Sequence, residues 1–167
     1  MILGMSLSTF VQVHTIISIV AIVAGFIVMF GMLTSTRPGG LTALFLLLTI
    51  LTSATGFLIP PLVSDKLLPS HIIGALSLVL LAIACIALYA MKLSGWWRWI
   101  YAVTALLALY FNTFVLVIQS FLKIPALTAL APGNPPAGPV FAVVQGIVLV
   151  FLVLMIFGAV RRFRPAV

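Results

Sequence analysis

The chain has 167 residues, 65% of them hydrophobic and 5% charged, with a mean hydropathy of +1.43. A soluble domain carries about 25% charged residues, so these figures exclude a water-soluble globule, a disordered chain and a secreted disulfide scaffold. The net charge of +7 comes from eight Lys and Arg against a single acid, Asp65. These basic residues sit at the ends of apolar runs, where they read as topology signals and contacts to anionic lipid rather than to nucleic acid.

The N-terminal Met1-Ile2-Leu3-Gly4-Met5 has no basic segment. The first apolar run, residues 10–33, is longer than a signal-peptide core and lacks a small-x-small cleavage site, so it reads as a retained helix. About 20 apolar residues span a bilayer, and four further runs qualify: 41–59, 67–91, 96–122 and 140–160. The breaks have a chemical cause. Arg37-Pro38-Gly39-Gly40 has turn composition, Pro60-Pro61 cannot continue a helix, and Lys92-Leu93-Ser94-Gly95 is a tight polar connection. The segment 123–139 holds Pro125, Pro132, Pro135 and Pro136 and reads as a stiff irregular loop. Trp96, Trp97, Trp99 and Tyr101 read as an interfacial belt opening the fourth span. The expectation is an all-α membrane protein, a single bundle of five transmembrane helices with a basic tail over 161–167.

Five spans place Arg37, Lys92, Arg98, Arg161, Arg162 and Arg164 on one side and only Lys66 and Lys123 on the other. The positive-inside rule then puts the N-terminus outside and the C-terminus in the cytoplasm. A bacterial inner membrane is the expected location, with Arg161, Arg162 and Arg164 against anionic lipid.

Polar side chains fall in one tier. At ~1.5 Å of rise per residue, His14, Thr55, His71, Gln119 and Gln145 all lie about 5–8 Å below the outer interface. Gln12, Ser53 and Ser70 flank them, and Asn112 lies deeper. Steps of three or four residues group His14, Ser18, Ala21, Gly25 and Met32 on the first span. They group His71, Ala75, Leu78, Ala82, Cys85 and Tyr89 on the third, and Ala105, Ala108, Asn112, Val115 and Gln119 on the fourth. Polar groups in hydrocarbon are expected to face one another, water or a ligand.

His14 and His71 are the chain's two histidines. A zinc site takes three or four protein ligands, and no third His, Cys or acid shares their depth. A six-coordinate haem b needs two axial imidazoles. Its propionates would lie toward Lys66 and Lys123, and a quinol would bind near Gln119, Gln145 or Asn112. This resembles the plan of small membrane cytochromes b only at the level of two ligands on two helices. The residues leave open a second reading, a non-enzymatic subunit docking a partner in a membrane complex, and a third, a small-molecule carrier. A quinone or lipid pocket without haem lies between the first two. Walker, GxGxxG and HExxH motifs are absent, and the lone Cys85 permits no intrachain disulfide.

Overall fold

A computed structural model describes residues 2–59 and 69–165, with residues 69 and 70 described in backbone alone. Five helices among them are long and apolar enough to cross a membrane. Helix α1 (Leu7–Leu33) begins where the Ser6 side chain accepts from the Thr9 amide at 3.1 Å, an N-cap. It ends at Thr34, and Ser35 turns the chain through a left-handed conformation (φ 58°) into α2 (Gly39–Gly56). After the 60–68 connection, α3 (Pro69–Cys85) starts on a proline and runs into a π-helical turn, Ile86–Ala90. Lys92, Leu93 and Gly95, all at positive φ, reverse the chain into α4 (Trp97–Lys123).

The short helix α5 (Pro125–Leu130) and then α6 (Pro139–Arg162) complete the chain, each with a proline in its first turn. The prolines of 123–139 predict irregular chain throughout. Pro125 instead begins a turn of helix, because a first-turn proline lacks only an amide that has no helical partner there. Thr128 secures that turn by donating to the Phe121 carbonyl at 2.7 Å.

The helices α1, α2, α3 and α4 close a ring of neighbouring pairs: α1 with α2, α2 with α3, α3 with α4, and α4 with α1. Helix α6 packs outside this ring, on α4 and α1. Close approach is built on Gly25. A Cβ there would lie 2.6 Å from Leu109 Cδ1 and 2.8 Å from Phe45 Cε2, so α1, α2 and α4 meet at that residue. Gly158 does the same for α6, against Leu33 at 2.8 Å.

The two ends of the bundle differ. The end carrying the α1–α2 turn is densely filled by Met29, Met32, Leu88, Leu93, Tyr101 and Phe163. There the Arg164 amide donates to Ser35 Oγ at 2.8 Å, tying the C-terminal segment to the turn. Tyr101 therefore belongs to the core, fully buried beside the Phe163 ring at 5.9 Å, and not to an interfacial belt; Trp96, 74% exposed, fits that role. The opposite end, where α1 and α6 begin and α2 and α4 finish, is less filled and opens into a cleft.

The buried face of α3 and the π-helical turn that follows it is Ser77, Leu81, Ala84, Ala87 and Leu88, while Ala75, Ala82 and Tyr89 are exposed. The stripe expected from His71 in steps of four and three holds one face, since at about 100° per residue its members stay within about 40° of His71. Packing buries a different flank of the helix, roughly 100° away.

Candidate functional site

Twelve residues line the cleft, and three helices besides α2 contribute polar groups to it: His14 from α1, His71 and Ser77 from α3, and Asn112 from α4. The end of α2 supplies Thr52, Ser53, Gly56 and Phe57. The volume is about 80 Å³, room for roughly three water molecules.

His14 lies seven residues into α1 and His71 only two into α3. The two do not sit at equal helical depth, yet they reach the same cleft because α1 begins further back. Two hydrogen-bonded rungs hold α1 against α2 here. His14 Nδ1 lies 2.9 Å from Thr55 Oγ1, and one turn on, Ser18 Oγ, which donates to the His14 carbonyl at 2.8 Å, lies 3.3 Å from Thr52 Oγ1. The Thr55 hydroxyl also donates to the Leu51 carbonyl at 2.6 Å. On the other wall, the His71 ring stacks on Phe57, with centroids 5.5 Å apart and planes 15° from parallel. Gly74 makes room for that stack, since a Cβ there would lie 3.3 Å from Phe57 Cε2.

Asn112 lines the cleft with its Nδ2 buried and without a hydrogen-bond partner among the described residues. A buried amide N–H left unpaired costs about 1–3 kcal/mol, so this atom marks where an acceptor is wanted. Phe111 and Val115 give the wall beside it apolar surface.

The other residues expected from their depth stand elsewhere. Gln145 is buried between α6 and α4, where its Nε2 donates to the Phe114 carbonyl at 3.1 Å and its Oε1 has no partner among the described residues. Gln119 is partly exposed and does not line the cleft. Lys123 is exposed at the end of α4 and does not line the cleft. Lys66, Asp65 and the Ser70 side chain lie outside the described residues. Among the described residues no group of three His, Cys, Asp or Glu is placed to hold a metal ion. Sequence reasoning missed Thr52, Gly56, Phe57, Ile73, Ser77 and Phe111. Only the Thr-Gly-Phe run ending the second span hinted at them, as a place where small and aromatic residues interrupt an aliphatic helix.

Gln145 thus reads as a helix–helix contact. Gln145→Leu is expected to cost about 0.6 kcal/mol, the usual scale of an interhelical hydrogen bond, and to leave ligand affinity of the cleft unchanged. Thermal unfolding and binding measured on one nanodisc preparation check both halves.

Comparisons with protein-family models, with curated proteins and with solved structures found no match.

Proposed function

We propose that this multi-pass membrane protein binds the ring of a membrane-dissolved quinone or quinol in the histidine-lined cleft, as a component of a membrane redox system. The observation that carries this reading is the convergence of His14, His71 and Asn112, from three helices, on one small cleft. Two imidazoles and an amide suit a ligand with oxygens on its ring. Phe57 and Phe111 suit its flat faces. The space of about 80 Å³ is smaller than the ~150 Å³ cavity that encloses a benzene ring, so the cleft takes the oxygen-bearing edge of the ring and leaves the rest at the lipid side. An aliphatic tail would stay in the lipid.

The test is binding of a short-chain quinone analogue to the purified protein in nanodiscs, by equilibrium dialysis. Saturable binding that falls at least tenfold in His14→Leu is expected. A folded protein with no saturable uptake of either redox form overturns the reading.

A haem b between His14 and His71 is the second reading, favoured by the anchored Nδ1 of His14, the usual arrangement behind an axial imidazole. A porphyrin needs a slot well above 80 Å³, since drug-sized ligands already occupy roughly 300 Å³ or more. The Gly56–Phe57 turn would have to move outward to admit it. Absorption spectra separate the two. A reduced α-band lost in both His14→Leu and His71→Leu selects haem, and a colourless protein that binds the quinone analogue selects the first reading.

We also propose that the cleft faces outward and the arginine-bearing end the cytoplasm of a bacterial inner membrane, with Arg161, Arg162 and Arg164 against anionic lipid. In a Cys85→Ala background, Thr128→Cys is expected to react with an impermeant thiol reagent in intact cells. Arg37→Cys should react only after permeabilisation. The reverse pattern inverts the orientation.

A further inference from the structure

We infer that Thr55 fixes the tautomer of His14, and that the cleft consequently selects the reduced, hydroxyl-bearing form of its ligand. The inference rests on the reading that the cleft takes a quinone-class ring.

A threonine hydroxyl has one proton to give and two lone pairs. Thr55 Oγ1 stands 2.6 Å from the Leu51 carbonyl oxygen, and two oxygens that close require the hydroxyl proton between them. That proton is therefore committed. The 2.9 Å contact between Thr55 Oγ1 and His14 Nδ1 must be carried by a hydrogen on the nitrogen. A neutral imidazole has a single N–H, so Nε2 keeps its lone pair and acts as an acceptor. Asn112 contributes the opposite group, an Nδ2 donor without a partner among the described residues.

One wall of the cleft thus asks for a donor and the other for an acceptor. A quinol hydroxyl is both, giving its proton to His14 Nε2 and accepting from an amide. A quinone carbonyl only accepts, and would set its lone pairs against that of Nε2. An unmatched buried acceptor corresponds to a preference of about tenfold or more for the reduced form. Thr55 is a positioning residue here, acting through His14.

The experiment compares dissociation constants of a short-chain quinol, held reduced, and its quinone for the full chain in nanodiscs. Nitrogen-15 spectra of histidine-labelled protein, assigned with His14→Leu, are recorded without ligand. Expected are at least tenfold tighter binding of the quinol and a His14 ring protonated on Nδ1. Thr55→Val should bring the two dissociation constants within about threefold and populate the other tautomer. Thr55→Ser should restore both. Equal affinities in the unmutated protein overturn the selectivity while leaving the quinone reading intact. A resting His14 protonated on Nε2 overturns the inference whatever the ligand does. Failure of both forms to bind overturns the quinone reading, and the selectivity with it.

Discussion

Gly25→Leu is expected to destabilise the protein by about 3 kcal/mol or more, whereas Gly146→Leu changes stability by no more than about 0.5 kcal/mol. Both positions are glycines inside long transmembrane helices, so composition does not separate them. At Gly25 the first added carbon already meets Leu109 at 2.6 Å and the Phe45 ring at 2.8 and 2.9 Å. The Leu109 methyl is the far end of a flexible chain, but Phe45 is fully buried and its ring has nowhere to swing. A leucine must therefore push α1 away from both α2 and α4. At Gly146 nothing lies within 4 Å of the added carbon. Thermal unfolding in nanodiscs, with monodispersity by size exclusion as a second readout, checks the pair. Equal effects at the two sites would mean that α1 does not cross α2 and α4 at Gly25.

Asn112→Leu is expected to weaken ligand binding at least tenfold while leaving the protein as stable or more stable, by up to about 1 kcal/mol. The two side chains have similar shape, so the change replaces a buried N–H lacking a partner by a group that needs none. Removing such a donor relieves a desolvation cost in the empty protein and removes a hydrogen bond from the loaded one. Stability and binding then move in opposite directions, as at sites kept for function rather than for folding. A helix-gluing asparagine would behave the other way, with stability lost and binding intact. Unfolding midpoints and dissociation constants measured together distinguish the cases.

The five spans were legible because about 20 apolar residues in a row have few other uses, and each break carried a proline, a glycine or a charge. Depth was legible to within about a turn, since rise per residue is nearly constant but α1 and α3 start two or three residues from where the apolar runs do. That is why His14, His71 and Asn112 could be picked out as polar groups in one half of the membrane. Direction around the helix was not. Apolar residues surround α1 and α6 on every side, so sequence alone does not tell a lipid-facing flank from a packed one. Gln119 and Gln145 share the depth of the cleft but point elsewhere, and the α3 face was displaced for the same reason. The role of Thr55 depends on a 2.9 Å contact between residues 41 positions apart. Phe57 enters the cleft only because Gly74 leaves space beside it, a pairing between helices that no local pattern announces.

The position of α6 outside the four-helix ring bears on how the molecule is made. None of the residues lining the cleft lies beyond Val115. A nascent chain that has delivered α1 to α4 into the bilayer already possesses every cleft wall described here, before α6 has left the ribosome. Biogenesis can thus finish the pocket first and attach the final helix afterwards, as a buttress on α1 and α4 rather than as part of the binding apparatus. A chain released just after Lys123 would be an assembly intermediate with its pocket already shaped.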